Sequence, residues 1–118
     1  MDFKEITLTF TAFIVKELNI KTPYTIKFSD DRSKFETFAY YDPQNHEIDV
    51  YTKGRAVADV LRSLAHEMVH HQQNQENKLN TGESIPDIGG PIEDEANAVA
   101  GQLVKKFGKM VSYSIYDL

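Results

Sequence analysis

Residues 57–70, VADVLRSLAHEMVH, decide the fold, because they combine a helical apolar stripe with the pattern H-E-x-x-H. The apolar residues recur at helical spacing and form one face, which consists of Val57, Val60, Leu61, Leu64 and Met68. His66 and His70 are four residues apart, so a helix places their imidazoles about 40° apart on a different face. The pattern therefore predicts a long helix, residues 55–77, that packs with one side and presents two histidines on another.

Two imidazoles on one helix face can reach a single metal ion. Glu67 directly follows His66, where its carboxylate can hold and deprotonate a metal-bound water. This donor set is typical of zinc hydrolases and predicts one catalytic Zn²⁺ with Glu67 as the catalytic residue. The alternative interpretation is an exposed polar face on an ordinary helix.

A catalytic zinc site needs a third protein ligand and a position left for water. The chain has no cysteine, which excludes a thiolate site. His46 lies in or just after a turn, upstream of the motif. His71 points about 100° away from His70, toward the apolar stripe, so one rigid helix cannot direct all three histidines at one ion. His71 is therefore expected to be a structural imidazole or one in the second shell of the metal.

Carboxylates remain as candidates for the third ligand, in Glu93-Asp94-Glu95-Ala96-Asn97 at the start of a second helix. Glu93 lies about 60° from Ala96 on the helical wheel and so points toward the protein body. A buried carboxylate needs a partner, and a metal supplies one. Glu93 is the predicted ligand and Glu95 the fallback. Asn97, one turn later, is predicted to orient a ligand histidine. Alternatively, these acids only favour a helix amino terminus.

The length of 118 residues suits one domain, residues 1–118, with a modest core. The net charge of −5 disfavours binding to nucleic acid or to an anionic membrane. No apolar run is long enough to span a bilayer. The amino terminus lacks the pattern of a signal peptide, and the absence of cysteine fits a reducing compartment, so the expected location is the cytoplasm. Nothing in the sequence indicates the oligomeric state.

The amino-terminal segment fits two patterns, an alternating strand at residues 6–11 and a helix face. We favour a helix over residues 3–19, because Asp2 and Glu5 resemble a capping box and Pro23 blocks continuation. Three strands are predicted next, and the turn at residues 42–45 joins the last two as a hairpin. These strands cover residues 24–29, 35–41 and 47–52.

The carboxy-terminal part is predicted to contain a loop, a helix and a short tail. Residues 80–90 are expected to form the loop, and the helix is expected to open at Pro91 or Ile92 and to end at Gly108. The tail, residues 110–118, is expected to be a short strand or an extended segment. The predicted fold class is α+β, with a small, three-stranded, mainly antiparallel sheet.

The H-E-x-x-H motif followed by Glu93-Asp94-Glu95-Ala96-Asn97 resembles the gluzincin metallopeptidases, and most closely the ImmA/IrrE-type peptidases and the minigluzincins. About ten residues carry the close resemblance. It implies a zincin-like fold, with His66, His70 and Glu93 as zinc ligands and Glu67 as general base and acid. Many gluzincins have aspartate where this chain has Asn97. No residue is an obvious stabiliser of the transition state, for which Tyr113 and Tyr116 are candidates.

These features predict a zinc-dependent metallopeptidase that acts on a peptide or protein substrate. An endopeptidase is favoured because the aminopeptidase motif G-x-M-E-N is missing. The strand at residues 47–52 is expected to border the cleft and to pair with the substrate backbone. The alternative function is a catalytically inactive or latent zinc-binding module for regulation or interaction, in which the tail or the loop around Pro86 and Gly89 covers the metal.

Overall fold

The computed structural model describes residues 2–79 and 90–118. It contains three α-helices, α1 (Phe3–Glu17), α2 (Val57–Gln75) and α3 (Pro91–Met110), and three strands, β1 (Thr25–Ser29), β2 (Ala39–Asp42) and β3 (Glu47–Tyr51). Short 3₁₀ helices cover Arg32–Lys34 and Ile115–Asp117. The α+β class is confirmed, and most of the loop predicted at residues 80–90 lies outside the described residues.

The first segment is a helix rather than a strand. The Asp2 carboxylate accepts a hydrogen bond from the Glu5 amide at 2.8 Å, as expected for a helix cap. The helix ends at Glu17, two residues earlier than predicted, and Asn19 adopts a left-handed conformation with φ 55°. Its buried face, Ile6, Phe10 and Ile14, joins the core.

The sheet is mixed and has the order β1-β3-β2, so the prediction of a mainly antiparallel sheet is wrong. The hairpin of β2 and β3 is confirmed as an antiparallel pair, with Tyr41 opposite Ile48. The chain passes from β1 through β2 before β3 pairs in parallel with β1, which places Ile26 beside Ile48. As a result β3 is the central strand, and Ile48 and Val50 are fully buried in the core.

Helix α2 is the centre of the molecule, since it contacts α1, α3, β2 and β3. Its predicted apolar stripe is confirmed, because Val60, Leu61, Leu64 and Met68 are buried. Helix α1 also packs on α3, where the ring centroids of Phe10 and Phe107 lie 4.9 Å apart in an edge-to-face arrangement. The core therefore holds α2 fixed along its length, which gives its polar face a rigid support.

The carboxy-terminal predictions need two corrections. Gly108 does not end α3, which continues to Met110. A Cβ at Gly108 would lie 3.4 Å from Cδ1 of Ile115, so this glycine allows the tail to fold back closely on the helix. The tail forms a 3₁₀ helix instead of a strand, and Ile115 is buried. Within the described residues, no helix combines the length and hydropathy needed to cross a membrane.

Candidate metal centre

The two histidines of the motif face each other on α2. Their Nε2 atoms lie 3.2 Å apart, and their rings are nearly perpendicular, at 86°. His70 is only 1% exposed, while His66 is partly buried. The spacing of four residues on a helix therefore directs both nitrogens to one point, as the sequence predicted.

Glu93 brings a carboxylate to this point from the first turn of α3. Its side chain is buried, one oxygen contacts Nε2 of His66, and the other lies 3.5 Å from Nε2 of His70. Pro91 starts the helix two residues earlier, where its fixed φ suits a helix start. Three potential ligands from two helices thus converge, which is the set that the sequence predicted.

These donor atoms suit a zinc ion. Two ligands of a tetrahedral zinc, each at roughly 2.0–2.1 Å from the metal, lie about 3.3 Å apart. Two of the three separations, 3.2 Å between the histidine nitrogens and 3.5 Å between His70 and Glu93, are close to this value, whereas the other Glu93 oxygen lies nearer than this to Nε2 of His66. Imidazole and carboxylate are also donors that zinc accepts, so the residues fit the ion.

Glu67 adds a second carboxylate beside the same histidines. One of its oxygens and a ring nitrogen from each of His66 and His70 all lie within 4.8 Å of one another, and the residue is 3% exposed. Glu67 and Glu93 are therefore both close enough to be ligands. Glu93 contacts both imidazoles from a separate helix, whereas Glu67 shares α2 with them.

Gln73 holds His70 in place, and our sequence reasoning missed this residue. It is fully buried, and its Oε1 accepts a hydrogen bond from Nδ1 of His70 at 2.8 Å. Its amide nitrogen donates to the Ile92 carbonyl at 3.0 Å and to Oε1 of Glu95 at 2.9 Å, which fixes the orientation of the amide. This amide orientation requires a proton on Nδ1 of His70, and in the neutral imidazole that tautomer makes Nε2 the acceptor that can bind a metal.

The fallback ligand Glu95 lies in this supporting network. Its side chain is exposed, and its carboxylate binds Gln73 and lies 4.0 Å from the Lys78 ammonium. Asn97 is exposed and lines the cleft at the histidines. Since Gln73 already binds Nδ1 of His70, an orienting role of Asn97 stays a prediction for His66 only.

His71 points to the opposite side of α2, as expected. Its Nε2 lies 2.9 Å from the Thr22 hydroxyl and its Nδ1 lies 2.8 Å from the Tyr41 hydroxyl, in a fully buried position. Burial lowers the pKa of His71. The His46 ring packs against it at 5.2 Å and binds the Pro23 carbonyl. Both residues therefore have structural roles away from the metal centre, which supports the structural alternative given for His71.

His66, Glu67 and Glu93 line a cleft of about 320 Å³. Its other walls come from α2 and from the segment that enters β2, namely Thr37, Phe38, Ala39, Arg62 and Ser63. The prediction that residues 47–52 offer a free edge to a substrate is wrong, because β3 is paired on both sides. The edge beside the cleft is β2 instead. Tyr113 and Tyr116 are not among the residues that line the cleft.

Comparison with known proteins gives no relative for this chain. No model of a protein family matches it, no curated protein matches its sequence, and no solved structure matches its fold. The resemblance to gluzincins therefore rests on the motif residues alone.

Proposed function

We propose that the protein is a zinc-dependent metallopeptidase that cleaves peptide bonds by hydrolysis. In this proposal His66, His70 and Glu93 bind one zinc ion, and the gluzincin resemblance of these positions agrees with that assignment. The observation that carries the proposal is the convergence of these three side chains, from two helices, beside a cleft that His66, Glu93 and the buried Glu67 line. An exposed polar helix face would not require a carboxylate from another helix to be buried against it.

A zinc ion bound there would supply a Lewis acid and lower the pKa of a coordinated water. The Glu67 carboxylate accepts the proton of the attacking water and passes it to the leaving nitrogen of the scissile bond. The water oxygen ends on the carbonyl carbon, and the two products are a carboxylate and an amine. Gln73 keeps His70 in the required tautomer throughout, since its amide is fixed by two further hydrogen bonds.

The substrate is expected to bind as an extended chain along β2. This strand is at the edge of the sheet, and the residues that enter it line the cleft. A substrate held through main-chain hydrogen bonds to an edge strand can have many different side chains, which suits an endopeptidase. We further propose that the enzyme acts in the cytoplasm, because a chain with no cysteine fits a reducing compartment.

The decisive variant is Glu67→Gln, which retains the shape of the side chain and removes the base. It is expected to bind one equivalent of zinc but to cleave peptides about a thousandfold more slowly than the wild type. Glu76→Gln, an exposed position at the end of α2, serves as the matched control with unchanged turnover. Equal activity of Glu67→Gln and wild type would refute the mechanism. A wild type that binds zinc but cleaves no peptide would instead favour the latent or regulatory module.

A further inference from the structure

The metal cleft continues into a second cavity of about 500 Å³. Both cavities are lined by Phe38, Arg62 and Ser63, so they form one groove. The groove runs from His66 toward the amino-terminal end of α2, where Arg55 lies. A peptide bound at the metal centre can therefore extend past Arg62 into this region, which we call the arginine groove.

The arginine groove is positively charged in a protein that is negative overall. Among the described residues that line it, Lys53, Arg55 and Arg62 carry positive charge and Asp59 carries negative charge. The whole chain has a net charge of −5, so this local excess of positive charge is opposite in sign to the charge of the protein as a whole. Such a patch attracts anionic groups and repels cationic ones.

Arg55 is a fixed positive charge in this groove. Its guanidinium donates to the Tyr51 carbonyl at 2.7 Å, the Asp59 carbonyl at 3.0 Å and the Ser63 hydroxyl at 2.7 Å. All three acceptors are uncharged, so they orient the guanidinium without neutralising it. It also lies 4.5 Å from the centre of the Phe38 ring, which holds it against the groove wall.

Arg62 is the cation nearest the metal centre along α2. It lies one helical turn before His66, so the two side chains share a face of the helix. Its side chain is exposed, and among residues 2–79 and 90–118 no carboxylate lies within 4.0 Å of it. Arg62 is thus able to pair with a carboxylate brought by a ligand, in the bidentate geometry that guanidinium favours.

We propose that the arginine groove selects substrates with an aspartate or glutamate close to the scissile bond, and that Arg62 pairs with this acidic side chain. This inference rests on the proposed peptidase function, since it names the substrate class of the same site. An acidic residue gains attraction from Arg62 and Arg55, whereas a lysine or arginine there is repelled. The selection acts at one position of the substrate, because Arg62 and His66 are one turn apart on the same helix.

The first experiment is cleavage of a proteome-derived peptide library by the zinc-loaded protein, with sequencing of the products. Acidic residues should be enriched about fivefold at one position relative to the cleaved bond, which corresponds to the strength of an exposed ion pair. Matched peptides with glutamate, glutamine or lysine at that position should then be cleaved in that order of kcat/KM. Arg62→Glu should reverse the order, while Lys105→Glu, the same charge change on an exposed part of α3, should preserve it.

Peptide binding provides a readout that is independent of cleavage. Fluorescence anisotropy with Glu67→Gln protein should show the glutamate peptide binding about fivefold more tightly than the lysine peptide, and Arg62→Glu in this background should reverse that preference. Cleavage with no acidic preference, or a preference that Arg62→Glu does not change, would overturn the inference and leave the peptidase function intact. Acidic peptides that bind through Arg62 but are never cleaved would support the inference and refute the peptidase function.

Discussion

Oε1 of Gln73 lies 2.8 Å from Nδ1 of His70, and this contact determines which nitrogen of His70 faces Glu93. The amide of Gln73 is fixed by the Ile92 carbonyl and the Glu95 carboxylate, both of which accept from its nitrogen. The orientation of the His70 ring is thus determined by a residue one turn along the same helix. Since Glu95 is on α3, the same network also connects the two helices that carry the candidate ligands.

Replacing Gln73 by methionine should weaken zinc binding about 10- to 100-fold, because His70 loses the acceptor that fixes its tautomer and orientation. The zinc affinity is measured by competition with a chromogenic chelator. Glu95→Gln retains an acceptor for the Gln73 amide and is expected to bind zinc as the wild type does. Unchanged zinc affinity in Gln73→Met would show that the network does not orient His70.

The hydrogen-bonded cluster of Tyr41, His71 and Asn74 should stabilise the fold without affecting the candidate metal centre. The Tyr41 hydroxyl accepts from the Asn74 amide at 2.9 Å and lies 2.8 Å from Nδ1 of His71. Tyr41→Phe removes both contacts and leaves Nδ1 of the buried His71 without this partner, so the free energy of unfolding should fall by about 1–3 kcal/mol. Chemical denaturation measures this loss, and Tyr116→Phe is the exposed control. A loss of zinc affinity in Tyr41→Phe would contradict the separation of the two sites.

Asp49 on β3 should make stability dependent on pH. Burial and the neighbouring Glu47 raise its pKa from 3.8 to about 6, so the folded state favours the protonated carboxyl. Its contribution to stability is complete below pH 4 and is lost as the pH rises toward 6. Asp49→Asn should therefore raise the free energy of unfolding at pH 7 by about 1–2 kcal/mol and have little effect at pH 4.

Urea denaturation at both pH values measures the effect, with the exposed Asp30→Asn as control. A stabilisation by Asp49→Asn that is the same at pH 4 and pH 7 would show that the carboxyl does not titrate differently in the folded protein.

If the substrate adds a strand to β2, its main-chain amides near the scissile bond must donate hydrogen bonds. Methylation of one such amide nitrogen should lower kcat/KM about tenfold or more, through loss of a hydrogen bond and a steric clash. The same methylation several residues away is the control. Equal cleavage of all methylated peptides would show that the substrate is held by its side chains alone.

The sequence predicted that His66, His70 and Glu93 converge, because helical spacing is a local property. His66 and His70 needed only a helix, and the position of Glu93 near Ala96 predicted its inward direction. Glu95 was harder to place, because its carboxylate is engaged by Gln73, a residue 22 positions earlier in the chain. Gln73 itself follows His70 by three residues, and this spacing on a helix is the signal that could have identified it.

The sheet topology could not be derived in the same way. Residues 47–52 have the composition of a strand. No local feature indicates that β1 pairs with β3, which follows it in the sequence only after β2. This parallel pairing is non-local, and it makes β3 the central strand instead of the edge at the cleft. The prediction that Gly108 ends α3 was wrong for a similar reason, since the role of this glycine in packing against Ile115 depends on the path of the tail.

The most direct test of the central claim is the stoichiometry of zinc on purified protein, determined by elemental analysis and by calorimetric titration of the metal-free chain. We expect one zinc per wild-type chain and a strong loss of affinity in Glu93→Gln, which removes the carboxylate that contacts both His66 and His70. Glu95→Gln, on the same helix, should still bind one zinc. A wild type without zinc affinity, or a Glu93→Gln variant that binds zinc as tightly as the wild type, would contradict the account.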